Sequence, residues 1–138
     1  MFELFEHEAD IGIRGFGRSM EEAFRNAAKA MFSVMVDLED VQTVEQRTIK
    51  VSAADAEALL VEFLNSLLSI ASMENMLFSE FKVKIEKNSE YVLECVAKGE
   101  KINLKRHRPK IEVKAATYSQ LAVSKRNNRW VAQCIVDV

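Results

Sequence analysis

Apolar and polar residues alternate from the start of the chain. Phe2, Leu4 and Glu6 interleave with Glu3 and Phe5, which predicts a strand over Phe2–Glu6. A second strand is predicted over Asp10–Phe16, with Ile11 and Ile13 on one face. The period then changes. Ser19 and Glu22 have capping-box spacing, and Met20, Ala23, Phe24, Ala27, Ala28, Met31, Val34 and Met35 recur at helical intervals. Glu21, Arg25, Asn26 and Lys29 take the other side, so this is an amphipathic helix laid on a sheet. Its methionines read as core rather than as a partner groove. Val44–Val51 reads as a strand. Asp55 then caps a second helix running to about Glu74, whose leucines leave only a narrow stripe of Glu62, Asn65, Ser66, Ser69 and Ser72. Such a helix is a domain's central helix, with a partner-docking helix as the alternative.

Four further strands are predicted at Phe78–Glu86, Tyr91–Gly99, Ile111–Val123 and Trp130–Asp137, with hairpin turns at Asn88-Ser89-Glu90 and Arg126-Asn127-Asn128-Arg129. Strands and helices mix without a regular βαβ rhythm. The expected fold is therefore α+β: two layers, a mostly antiparallel sheet with two main helices packed on one face, and a single domain over residues 1–138. Gly12, Gly15 and Gly17 follow the order GxxGxG, which is not the dinucleotide fingerprint and reads as a bulged strand leading into a turn.

Composition adds exclusions. At 138 residues, 49% apolar and 29% charged, the chain is long enough for a sizeable core and is not a disordered type. A net charge of -2 argues against a general nucleic-acid-coating protein, while leaving room for a local basic patch. Cys95 and Cys134 lack CxxC spacing and read as buried thiols. The acidic N-terminus does not resemble a signal peptide, and the longest apolar run looks too short to span a bilayer, so no membrane association and a cytoplasmic location are expected.

Candidate chemistry is sparse. His7 and His107 are the only histidines, and no GxSxG, HExxH or CxxC is present. Glu6, Glu8 and Asp10 would project on one side of a continuing strand, with His7 interleaved; the alternative is a solvated turn. Asp137 closes a strand that is apolar on both faces, beside the carboxylate of Val138, so it sits either at a solvated edge or against a cation. The segment Lys105-Arg106-His107-Arg108-Pro109-Lys110 forms a cationic patch suited to phosphate, RNA or an acidic protein surface, or else a solvated loop.

The stretch Phe5-Glu6-His7-Glu8-Ala9-Asp10-Ile11-Gly12-Ile13-Arg14 resembles the opening motif of the archease family. Glu21-Glu22-Ala23-Phe24, Leu59-Leu60-Val61-Glu62-Phe63-Leu64-Asn65, Lys98-Gly99-Glu100, Arg106-His107, Val113-Lys114-Ala115 and the closing Val136-Asp137-Val138 continue the likeness in order along the whole chain. The resemblance implies a non-catalytic helper of the RtcB-type RNA ligase in tRNA splicing, which promotes guanylylation of the ligase's histidine and multiple turnover. The ligase would be the direct partner, with tRNA met only through it. The resemblance also implies a metal site at Asp10, Asp137 and Val138, and a contact with the ligase or its nucleotide at Lys114. His7, Glu8, Arg106, His107 and Arg108 are weaker candidates for partner or nucleotide contact. Glu8 stands where the family usually has threonine, which adds a negative charge beside the site. An all-oxygen ligand set suits Ca²⁺, Mg²⁺ or Mn²⁺ rather than structural zinc. Two other classes remain open on the residues: a chaperone-like protein- or RNA-binding adaptor without a metal role, and a stand-alone metal-dependent phosphoesterase.

Overall fold

A computed structural model describes residues 1–138. In chain order its elements are β1 (Phe2–His7), β2 (Asp10–Gly17), α1 (Met20–Met35), β3 (Glu45–Ala53), α2 (Ala56–Glu74), β4 (Met76–Lys87), β5 (Tyr91–Lys101), β6 (Ala115–Ala116), β7 (Ala122–Arg126) and β8 (Arg129–Asp137). The fold is α+β with every strand pair antiparallel. The expected single sheet is divided in two. One sheet runs β1-β2-β8, with both β6 and β7 on the far edge of β8; the other runs β3-β5-β4.

The two helices join these sheets. α1 lies against β1, β2 and β8 of the first sheet and β4 of the second; α2 lies against β3, β4 and β5 on one side and β6 and β7 on the other. Aromatic rings close the joint. Phe24 of α1 stacks on Phe63 of α2 with ring centroids 6.1 Å apart, and Phe32 meets Phe78 edge-on at 5.7 Å. Each fully buried side chain of this size contributes about 1.5–3 kcal/mol. Ser19 Oγ accepts the Glu22 N–H and Asp55 Oδ1 accepts the Ala58 N–H, so both helices begin where their capping residues predict. α2 departs from expectation in one respect: by length and composition it is apolar enough to cross a membrane. Here its Leu59, Leu60, Phe63, Leu64 and Leu67 are fully buried in the core shared by the two sheets.

Two predicted features are corrected. β2 is regular, not bulged: it pairs with β8 without a break from Ile11↔Val136 to Gly17↔Trp130. Its glycines serve close approach instead, since a Cβ at Gly15 would collide with the α1 backbone at Ala23 and Ala27. The strand predicted over Ile111–Val123 is mostly absent, reduced to the short β6 and the beginning of β7. The backbone before β6 finds other partners: the N–H groups of Lys110 and Ile111 donate to the Met35 and Val34 carbonyls, in the last turn of α1. Those carbonyls have no intrahelical donor, so the loop completes the helix rather than extending the sheet. The two hairpin turns form as expected. Asn127 and Asn128 take φ values of 52° and 62°, the left-handed pair that a two-residue hairpin turn requires.

Gly15→Ala should therefore push α1 off β2. The expected loss is about 1–3 kcal/mol, measured by urea unfolding; stability equal to the parent would mean that α1 is not packed tightly on β2.

Candidate functional site

The site is built at one end of the first sheet. β1 and β2 are joined by Glu8-Ala9 alone, with His7 opposite Asp10. Glu8 occupies the apex at φ 53°, a left-handed conformation that a non-glycine residue adopts at a cost, and its side chain is exposed. Residues paired across an antiparallel ladder share a face, so His7 and Asp10 share one while Glu6, paired with Ile11, projects on the other. The expected three-carboxylate row at Glu6, Glu8 and Asp10 is thus not formed, because the turn breaks the strand.

The closing strand brings the second half. Continuing the β2–β8 register one residue past Ile11↔Val136 sets Asp10 across from Asp137. Side chains directly opposite in such a pair have Cβ atoms about 4.5–5.5 Å apart. On the far side of Asp137 lies Ala115, and the Lys114 N–H donates to the Asp137 carbonyl at 2.8 Å. His7, Asp10, Asp137, Val138 and Lys114 therefore gather at one tip. None of these residues takes part in an ion pair. His7 Nδ1 is enclosed and has no hydrogen-bond partner. Nowhere in the chain do three His, Cys, Asp or Glu side chains converge as a metal-holding group. Two carboxylates, with oxygen from Val138, suit a hard divalent cation in an open site whose remaining positions are filled from outside. They do not make a closed cage.

Asn65 was not singled out as a site residue by sequence. From α2 its side chain spans Ala116, with Oδ1 accepting the Ala116 N–H at 2.8 Å and Nδ2 donating to the Ala116 carbonyl at 3.2 Å. It fixes β6 against the end of β8. Its signals were an amide set among leucines and a place at the end of the family-like stretch Leu59–Asn65.

The cationic segment at 105–110 is not an open patch. His107 is fully buried, so its candidacy for partner contact is corrected. Its Nδ1 accepts the Asn103 N–H at 2.9 Å, leaving Nε2 to donate to Glu100 Oε2 at 2.9 Å. Arg106 forks onto both carboxylate oxygens of Glu100 and also donates to the Asp40 carbonyl. Lys110 pairs with Asp37 at 2.7 Å. Only Lys105 and Arg108 are left without an ion pair. Glu100, another residue that sequence did not single out, is the hub: the Arg106 guanidinium, with help from the Gln42 N–H and His107, holds its carboxyl down at about 2. The thiols behave as expected of core residues, on different sheets and free, each pushed up to about 12 by burial.

The fold and its tip define a class: a two-layer α+β domain presenting carboxylates where its second and last strands meet. The family model described as the archease protein family (MTH1598/TM1083) matches residues 2–138. The archease of Pyrococcus abyssi is 45% identical, over 99% of this chain and 98% of that protein. That of Sulfurisphaera tokodaii is 42% identical over the same shares. Among solved structures, protein 1598 of Methanobacterium thermoautotrophicum superposes with a TM-score of 0.88 at 38% identity, covering 99% of this chain and 98% of that one. An archease from Thermotoga maritima, described as a possible chaperone, shares the fold at a TM-score of 0.63 and 18% identity, covering 99% and 96%. The chain belongs to the archease family.

Because the Glu100 carboxyl is held below its ordinary range, its contribution to stability is complete above the unfolded value of about 4.3 and is lost as pH falls through about 2. Glu100→Gln should cost about 1.5–3 kcal/mol at neutral pH and flatten the acid limb of a stability–pH curve obtained by urea unfolding. An acid limb as steep as the parent's would show that Glu100 does not carry it.

Proposed function

We propose that this protein activates an RtcB-type RNA ligase, as a non-catalytic helper in the cytoplasm that meets tRNA through the ligase. The observation that supports the reading is the β2–β8 register, which reaches Ile11↔Val136 and, continued by one residue, would bring Asp10 across from Asp137 at the end of the sheet. Unpaired carboxylates at a protruding tip suit presentation to another macromolecule better than catalysis within this chain. The tip lacks a nucleophile with its own base, which weighs against a stand-alone phosphoesterase.

In this reading Asp10, Asp137 and the oxygen of Val138 hold a divalent cation, Ca²⁺, Mg²⁺ or Mn²⁺. Bound there, the cation would supply positive charge to phosphate oxygens during ligase guanylylation. The chain's own part is positional. The Lys114 N–H fixes the Asp137 backbone, and Asn65 fixes β6 beside it. Glu8 at the turn apex adds negative charge at the rim. An adaptor without a metal role is the second reading, favoured by the exposed Met73, Leu104 and Ile111 on α2 and the loop before β6.

Multiple-turnover RNA ligation with the ligase separates these. Asp10→Ala or Asp137→Ala should abolish most of the stimulation while leaving binding to the ligase intact. Full stimulation by both variants would sink the carboxylate role and leave the adaptor. Residues appended after Val138 should likewise impair stimulation, because they would crowd the tip.

A further inference from the structure

The solvent face of the first sheet, at the end away from the carboxylate tip, has features of its own. Both helices lie on the other face, and at this end the residues of this face are half-buried or exposed. β2, β7 and β8 contribute Arg14, Phe16, Ser124, Arg126, Arg129 and Val131 to a shallow concavity of about 550 Å³. The Arg129 guanidinium lies 3.8 Å from the centroid of the Phe16 ring, and Arg14 lies 4.5 Å from that of Phe5. Arg14 is already engaged, with Glu3 and Gln133. Arg126 and Arg129 are directly opposite each other beside the hairpin turn, both exposed, and neither is in an ion pair.

Two unneutralised guanidinium groups on an open sheet face call for an anionic partner. The second demand is planar. A guanidinium seated on an aromatic ring is held by it and offers a flat upper surface, to which a base can add as the next layer. The apolar floor of Phe16 and Val131 favours the same ligand. An acidic peptide would satisfy the charge and leave the stacking surface unused, and a duplex has its bases already stacked. We propose that this face of β2, β8 and β7 binds single-stranded nucleic acid, with phosphates held by Arg126 and Arg129 and a base stacked on the Arg129–Phe16 pair. The surface is separate from the tip, and the proposal does not rest on the ligase reading.

The test uses the full chain and a fluorescein-labelled oligouridylate, followed by fluorescence anisotropy across a salt series. The parent should bind with an affinity that falls linearly in log–log form. Arg126→Ala with Arg129→Ala should weaken binding about tenfold or more, and should lower the salt slope by about 1.4, at about 0.7 for each lost phosphate contact on a single strand. Phe16→Leu keeps the charge and most of the apolar volume but removes the ring, and should weaken binding about five- to tenfold. Arg126→Glu alone, at an exposed hairpin position where folding is not at stake, changes the local charge as much as the double variant and should weaken binding by about as much. Equal binding by parent and double variant would overturn the proposal. So would inorganic polyphosphate displacing the oligouridylate at equal phosphate concentration while Phe16→Leu binds as the parent does, since charge alone would then explain the contact. A third overturning result is no oligouridylate binding together with a dimer, seen by light scattering and lost in the double variant; the arginine face would then be meeting the acidic tip of a second copy.

Discussion

The pairing of β2 with β8 is the constraint on which the rest depends. It joins an early strand to the last one, and its register runs unbroken over seven residue pairs. A slip of one residue would reverse the faces, turning Cys134 and Val136 out of the core and Asp137 towards the helices. Ile13, Cys134 and Val136 are all buried in the core on the face that α1 covers, so the core rejects that slip. α1 sits directly on Gly15, which leaves the helix no freedom to accommodate a shifted strand. The position of Asp10 against Asp137 is thus inherited from hydrophobic packing several residues away. The strand ends that carry the two aspartates are held in place by a core that cannot rearrange.

The second sheet enters this arrangement through the chain between β5 and β6. Glu100 lies near the end of β5, and Arg106 and His107 return to it. The chain then closes the C-terminal turn of α1 with the N–H groups of Lys110 and Ile111, and reaches the tip at Lys114. Asn65 clamps the following strand from α2. Each step satisfies a backbone or carboxylate group that would otherwise be buried or terminal without a partner. β6 is only two residues long and could not hold its place by ladder bonds alone. It is held by the helix and by the loop that precedes it.

That tethering explains what was legible in the sequence. Both helices could be read, because their caps and their 3.6-residue periods agree. The Asn127-Asn128 turn could be read because asparagine tolerates the left-handed conformation that the hairpin needs. Ile111–Val123 misled because Ile111, Val113 and Ala115 alternate as a strand would, while the hydrogen bonds that decide the matter come from the end of α1, far away in sequence. The basic segment misled for a related reason: charge counts on Arg106 and His107 cannot reveal that Glu100 awaits them inside. Asp10 and Asp137 could be named individually through the family likeness, but their mutual placement required the register. The residues that support the tip, Asn65 and Glu100, carried almost no local signal, because each acts on backbone or side chains distant in sequence.

The first sheet also separates charge along its length. Asp10 and Asp137 lie at one end, and Arg126 and Arg129 at the other. From Arg129 to Asp137 is eight residue steps along β8, or about 26 Å at about 3.3 Å per step. That is several times the Debye length of about 8 Å at physiological ionic strength. Exposed charges so far apart barely sense each other, so neither end neutralises or tunes the other through solvent. The net charge of -2 therefore describes neither end: a whole-chain sum averages an acidic tip and a cationic hairpin into apparent blandness. A rigid sheet keeps them apart. A molecule that engaged both would have to be at least as long as β8, which makes the separation itself a filter against small ligands and a geometric match for a macromolecule.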